Sequence, residues 1–184
     1  MRIISGKWGG RKITTPSNMP HTRPTTDIAK GGLFNILQHR MSFDGIKTLD
    51  LFGGTGSISY ELASRGAGDL TIIEKDAQMH AFIKKNLEML GAENYKLLKL
   101  DVFSFLKTCN ETFDFIFAGP PYALGTIDDI PKIITEKKMI AAKGFFVLEH
   151  TPRNNYEKFE DFLFERNYGT TVFSFFTSNN SLVE

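Results

Sequence analysis

"LDLFGGTGS" (residues 49–57) decides the fold of this chain. An apolar run ends on an acid, Asp50, and then Gly53, Gly54 and Gly56 interrupt the sequence. "KTLDLF" (47–52) reads as a strand and "SISYELASRG" (57–66) as the helix that follows it. Glycines in such a turn let the backbone approach a ligand without a Cβ in the way. In an open parallel sheet this turn lies beyond the carboxyl end of a strand, which is where ligands bind.

Charge narrows the choice of ligand. No lysine follows the glycines in the P-loop position, which argues against a nucleoside triphosphatase. A dinucleotide is the sharper rival, because Glu74 stands 20 residues beyond Gly54, as a ribose partner would. Against it, Ser59 takes the place of the third glycine or alanine, and Asp50 would repel a pyrophosphate. A carboxylate there attracts the ammonium of S-adenosylmethionine (SAM), whose sulfonium is also cationic. Glu74, in "IIEKD", ends a second strand and suits ribose hydroxyls, or else the start of a helix with Asp76. Asp101, in "KLDVF", ends a third strand and suits the adenine amine, or else caps a helix. Three acids at three successive strand ends make a stronger pattern than any one of them.

Outward from the loop the pattern alternates. Strands are expected at 70–75, 95–100, 113–119 and 144–150, and helices at 76–91, after 100, near 126–140 and near 156–162. "FLFERNYG" and "TTVFSFFT" close the chain as an antiparallel pair turning at Tyr168-Gly169. The fold class is therefore α/β, with a mostly parallel sheet covered by helices on both faces. Ahead of it, "MRIISGKWGGRKIT" (1–14) reads as a hairpin turning at Gly9-Gly10. "TPSNMPHTRPTT" (15–26) reads as a loop, and 27–41 as a helix capped by Thr26 or Asp27, with Gly31-Gly32 its weak point. Two units follow: a basic hairpin and linker at 1–26 and an α/β domain at 27–184.

The 184 residues, 41% of them apolar, suit one domain of this kind. No membrane span or signal peptide is read from the sequence. Cys109 is the only cysteine, so no intramolecular disulfide forms and a reducing cytoplasm is expected. His21, His39, His80 and His150 show no metal-ligand spacing, and no metal is expected. Net charge is +1, yet residues 1–40 hold seven Lys/Arg against the single acid Asp27. A basic arm on an acidic body suits a polyanion, nucleic acid first, although a solvated basic face has the same composition.

"FDFIFAGPPYAL" (113–124) adds a reaction. Pro120 and Pro121 fix the backbone at a strand end, and Tyr122 can stack on a base presented there. A rigid turn with a core tyrosine is the plain alternative.

With these residues in view, the whole chain resembles the RsmD-type 16S rRNA guanine-N2 methyltransferases. The likeness is carried by "RIISGKWGGRKI", "TRPTTDIAKGGLFNIL", "LDLFGGTGSISYELASRGA", "IIEKD" and "FDFIFAGPPYAL". The resemblance implies a class I SAM-dependent methyltransferase fold: Rossmann-like, with a mostly parallel seven-stranded sheet. It implies transfer of methyl from SAM to the exocyclic amine of one guanine in small-subunit rRNA, in the cytoplasm, by a monomer. It places Asp50, Phe52, Gly53, Gly54, Thr55, Gly56 and Ser57 around the methionyl part, Glu74 and Lys75 at the ribose, and Asp101 and Val102 at the adenine. Gly119, Pro120, Pro121 and Tyr122 meet the target base. Arg2, Lys7, Trp8, Arg11 and Lys12 meet RNA, and Arg23, Thr25, Thr26, Asp27 and Lys30 line the approach to the site.

Two positions depart from the family. It usually carries Asp or Asn at 119, accepting a hydrogen from the target amine, and Glu at 31; both are glycine here. The expectation is a slow enzyme, with backbone carbonyls as acceptors, made faster by Gly119→Asp. A catalytically weak SAM- and RNA-binding assembly factor is the alternative, and a DNA adenine-N6 methyltransferase, lacking a target-recognition domain, a further one.

Overall fold

A computed structural model describes residues 1–18 and 25–178. Asp27–Gln38 form α1, Lys47–Asp50 β1, Ser57–Ser64 α2, Asp69–Ile73 β2, Ala77–Leu90 α3 and Tyr95–Leu98 β3. Val102–Thr108 form α4, Phe113–Ala118 β4, Asp129–Glu136 α5, Ile140–His150 β5, Phe162–Tyr168 β6 and Thr171–Phe176 β7. The seven strands make one sheet in the order β3-β2-β1-β4-β5-β7-β6. Neighbours pair in parallel from β3 across to β5, and β7 runs antiparallel to both β5 and β6. This is the seven-stranded, mostly parallel sheet expected.

Strand order reverses beside β1. The chain steps from β1 through β2 to β3, then returns to place β4 on β1's other side. A crevice opens at such a switch point, beyond the carboxyl ends of β1 and β4.

Strands buried on both faces are mostly apolar, as "FDFIFA" and "TVFSFF" are apart from Asp114, Thr171 and Ser174. One face of the sheet packs Phe115, Phe117, Val147 and Phe173 against α1, α2 and α3, through Leu33, Leu62 and Ile83. The other packs Leu49, Ile116, Phe146 and Leu148 against α4 and α5, through Leu106, Ile130 and Ile134. The buried Cys109 belongs to the second cluster.

The hairpin at 1–14 forms around one antiparallel bridge, Arg2 to Lys12. Ile3 N–H donates to the Arg11 carbonyl at 2.9 Å, Ile13 N–H to the Met1 carbonyl at 3.0 Å and Gly10 N–H to the Ile3 carbonyl at 2.8 Å. Donors outside this ladder reach α2: Ile4 and Ser5 N–H go to the Glu61 carboxylate, at 2.8 and 3.0 Å, and Lys7 N–H to the Ser64 carbonyl at 2.7 Å. The segment therefore docks on α2, and Ile3, Trp8 and Ile13 join the core. Any Cβ on Gly6, whose φ is +81°, would fall 2.0 Å from the Ser64 carbonyl oxygen. The helix expected near 156–162 is a set of turns, with Phe159 N–H donating to the Tyr156 carbonyl three residues back. Tyr156 is fully buried, packs edge-on to Phe159 and donates its hydroxyl to Asp128. Ring packing, not an i,i+4 ladder, holds this stretch.

Gly31 and Gly32 differ in their reasons. A Cβ on Gly32 would run into the Tyr168 ring at 2.3 Å, so β6 packs on α1 only over a glycine. At Gly31 only Ile4 Cδ1 comes near, at 3.6 Å, so packing does not demand glycine there. Among the described residues no helix is long and apolar enough to cross a membrane, and no cluster of three His, Cys, Asp or Glu suits a metal ion.

Candidate active site

Asp50 ends β1 with its side chain fully buried. Oδ2 accepts from the Ser59 hydroxyl at 2.6 Å, whereas Oδ1 has no close hydrogen-bond partner among the described residues. Burial pushes the carboxyl up to about 7; hydrogen bonds from Ser59 and from the Phe52 backbone pull the other way, and the charges of Glu74 and Glu149 add to the rise. A buried polar atom without a partner is costly, so the site calls for a donor at Oδ1.

The glycine loop follows. Gly53 N–H donates to the Ile73 carbonyl and Gly56 N–H to the Gly53 carbonyl, at 2.9 and 2.7 Å, folding the loop across the ends of β1 and β2. Gly56 caps α2 with φ +81°, and a Cβ there would strike the Tyr60 ring at 2.4 Å. Thr55 and Ser57 are buried, and Phe52 is half-buried against the second core cluster. Among the described residues Ser57 Oγ and Tyr60 OH, like Asp50 Oδ1, are buried without a close hydrogen-bond partner; burial raises the Tyr60 hydroxyl pKa, and Asn86 beside it pulls the other way. Three unpartnered buried polar atoms thus flank one loop. These residues fit a zwitterionic, cationic ligand such as SAM: an acid faces the cation, and glycines clear the backbone.

Glu74 directly follows β2. Oε2 accepts from Gly54 N–H at 2.7 Å and Oε1 from Asp76 N–H at 2.8 Å, so it braces the glycine loop and the start of α3 together. Asp76 caps α3 by accepting from Met79 N–H at 2.9 Å. Lys75 beside them is exposed. Asp101 lies three residues beyond β3, not at its end, and caps α4, with Oδ1 accepting from Phe103 and Ser104 N–H at 3.0 and 3.1 Å. Val102 is buried behind it. Both helix-capping alternatives for these acids are therefore realised, and neither uses all the acceptor positions of its carboxylate.

Across the switch point, Gly119, Pro120, Pro121 and Tyr122 leave β4, whose Phe117 pairs with Asp50. Tyr122 is half-buried; its hydroxyl lies 3.1 Å from both Glu149 Oε1 and Thr171 Oγ1. Glu149, on β5, is only 5% exposed, and its Oε2 accepts from Thr25 Oγ1 at 2.5 Å. Sequence reasoning missed Glu149. The signal was present, since it is a further acid near the carboxyl end of a strand, like Asp50 and Glu74.

The basic arm divides in two. Arg2, Lys7, Arg11 and Lys12 are exposed. Arg11 and Lys12, with Lys85, Phe82 and Met89 of α3, line a groove of about 490 Å³. Trp8, expected at RNA, is turned into the core at 5% exposure, with Lys7 Nζ 5.6 Å above its ring. Lys30, expected on the approach to the site, is fully buried: Nζ donates to the Arg2 carbonyl at 2.7 Å and lies 3.6 Å from Glu61. Burial lowers its pKa, and Glu61 and Asp27 oppose that shift. Lys30 and the buried Glu61 thus tie the N-terminal segment to α1 and α2. Thr26 caps α1 by accepting from Ala29 N–H at 3.2 Å, and Asp27 Oδ1 accepts from Arg2 N–H at 3.3 Å. Arg23 lies outside the described residues.

The sequence matches the family described as Conserved hypothetical protein 95 over residues 1–177. Ribosomal RNA small subunit methyltransferase D of Escherichia coli (strain K12) is 31% identical over 154 residues, covering 84% of this chain and 76% of that protein. A solved structure of the putative methyltransferase yhhF from Escherichia coli superposes with a TM-score of 0.82 at 27% identity, covering 96% of both chains. A T. thermophilus 16S rRNA N2 methyltransferase (RsmC), in complex with AdoMet and guanosine, superposes with a TM-score of 0.67 at 26% identity. That match covers 84% of this chain and 44% of the other.

Proposed function

The chain belongs to the Conserved hypothetical protein 95 family, the family of the RsmD-type methyltransferases, and from that premise we propose that it transfers a methyl group from SAM to the exocyclic N2 amine of a guanine in 16S rRNA of the small ribosomal subunit. One observation carries the reading. Asp50, suited to a cation, and the Pro120-Pro121-Tyr122 turn, suited to a flat base, stand at the ends of adjacent paired strands. Donor and acceptor sites are thereby set side by side at the switch point.

In this reading Asp50 receives the ammonium at Oδ1, and Phe52, Gly53, Gly54, Thr55, Gly56 and Ser57 wrap the methionyl part. Glu74, with Lys75, holds the ribose while bracing the loop. Asp101 and Val102 bound the adenine. When bound, SAM supplies an electrophilic methyl carbon on its sulfonium. The chain's part is positioning: the prolines and Tyr122 hold the base so that the amine nitrogen meets that carbon at about 3–3.5 Å, which accounts for much of such a rate. No strong base is required, because the amine proton becomes acidic as the new bond forms.

Arg2, Lys7, Arg11 and Lys12 contact phosphates, which position the RNA without reading its sequence. The protein works as a monomer in the cytoplasm and needs no metal. Residues 1–26 act as the RNA-facing unit and 27–184 as the methyltransferase unit.

The test is transfer of labelled methyl from SAM to small ribosomal subunits lacking the modification, followed by nucleoside mapping. N2-methylguanosine is the expected product. Methyl-labelled adenine in DNA would replace this reading with the DNA alternative. SAM and RNA binding without transfer would favour the assembly factor.

A further inference from the structure

We propose that Glu149 supplies the carboxylate acceptor for the target amine that Gly119 does not carry; this rests on the methyl-transfer reading above. Sheet register brings the two residues together. Ala118 pairs with Leu148 in the parallel β4–β5 ladder, so Gly119 and Glu149 occupy the next rung. A Cβ on Gly119 would lie 3.6 Å from Glu149 Oε2 and 3.0 Å from the Phe117 ring. The space an acid at 119 would use is therefore already held by another carboxylate.

Glu149 is placed for a role in the site rather than in the core. Its charge is felt by Asp50 across the crevice. Tyr122 of the base-holding turn and Thr25 of the segment entering α1 both donate to it, from 27 and 124 residues away in sequence. Burying a carboxylate is costly unless it is hydrogen-bonded. These two hydroxyls fix the plane in which its roughly four acceptor positions point.

An anionic acceptor draws one amine hydrogen toward itself and turns the nitrogen lone pair toward the methyl carbon. The nitrogen then bonds to that carbon, the carbon–sulfur bond breaks with its electron pair staying on sulfur, and the nitrogen releases one proton to water. Glu149 remains a carboxylate throughout. A purely structural alternative exists, in which Glu149 only clasps Thr25 and Tyr122.

The experiment compares wild type, Glu149→Gln, Glu149→Ala, Gly119→Asp and the double variant Gly119→Asp/Glu149→Ala. Single-turnover methylation of unmodified small subunits is measured, with RNA affinity, SAM affinity by calorimetry, and thermal unfolding alongside. Loss of a hydrogen bond to an anion predicts a rate on the order of 10- to 100-fold lower in Glu149→Gln, with RNA and SAM affinity not weakened. Gly119→Asp alone lowers the rate, reversing the gain expected from the sequence, because Glu149 already stands beside position 119 and two carboxylates crowd one space. In the Glu149→Ala background the same substitution raises it, since the acceptor returns from the neighbouring strand. A clasp gives no such reversal of sign. Glu149→Gln keeps the side-chain shape and an acceptor oxygen for one of the two hydroxyls, so the question stays answerable if the Ala variants fail to fold. A wild-type rate in Glu149→Gln, or a rate lowered by Gly119→Asp in both backgrounds, overturns the proposal while leaving methyl transfer intact. No transfer by the wild type overturns the methyl-transfer reading itself.

Discussion

The two sides of the crevice are built differently. On the β1 side, Asp50 Oδ1, Ser57 Oγ and Tyr60 OH are buried around the glycine loop without close hydrogen-bond partners among the described residues. Across the switch point, Thr25, Glu149, Tyr122 and Thr171 bond to one another. One side is electrostatically unfinished and gains most from a cationic ligand. The other is assembled by the protein's own side chains and presents a fixed surface. Cofactor affinity should therefore respond to charge and pH, while the base side should respond to geometry.

The largest expected effect comes from Asp50. Its folded carboxyl titrates near 7, against about 3.8 in the unfolded chain. Between those values the folded protein holds a proton that the unfolded chain releases. Stability without ligand therefore falls as pH rises through this window and levels off above about 7. The full difference is on the order of 4 kcal/mol. Asp50→Asn removes it, so denaturant unfolding of that variant at pH 8 should show a more stable protein that lacks this decline with rising pH. An unchanged slope would show that Asp50 is ionised in the unliganded fold and would erase the contrast between the two sides.

Next comes the basic arm, which belongs to neither side. Replacing Arg2, Lys7, Arg11 and Lys12 with Ala should weaken RNA binding and flatten its salt dependence by up to about one unit of slope per lost phosphate contact. Lys30→Ala should act otherwise, lowering stability without touching the salt slope, because its charge is buried beside Glu61. Binding isotherms from roughly 50 to 300 mM salt, a range over which the Debye length falls by more than half, separate the two. Equal salt slopes for the four-residue variant and wild type would mean the arm is a solvated face.

The smallest effect tests the assembled side. Tyr122→Phe removes one hydroxyl shared by Glu149 and Thr171 and keeps the ring. A loss of about 1–2 kcal/mol in thermal or denaturant unfolding is expected, with little change in SAM affinity. A drop in SAM affinity as large as that stability loss would mean the two sides are one electrostatic unit.

Much of this was readable in the sequence, because the sheet writes itself locally. Apolar runs such as "FDFIFA", punctuated by glycine, placed the strands, and an acid at the end of a run placed Asp50 and Glu74. Glu149 carries the same end-of-strand signal, but what it and Glu61 hold together was not legible. Their meaning depends on residues far off in the chain, Thr25 and Tyr122 for one, Ile4 and Ser5 for the other. The hairpin at 1–14 was legible from its own residues, but its docking on α2 through Glu61 was not. Tyr156 and Phe159, three residues apart, mimic a helical spacing, yet their rings are held by the core and not by a helix. Gly32, which reads as a weak point in α1, is required by Tyr168 from the far end of the sheet.

The most direct measurement is calorimetric titration of SAM into wild type and Asp50→Ala from pH 6 to pH 8.5, with NAD as comparator. The account predicts that SAM binds and NAD does not. Wild-type affinity should rise up to about tenfold per pH unit below 7 and level off above it, as Asp50 loses its proton. Asp50→Ala should bind more than about tenfold more weakly at pH 8, as expected for loss of a charge-assisted hydrogen bond. Tight NAD binding, or a SAM affinity indifferent to both pH and Asp50, would contradict it.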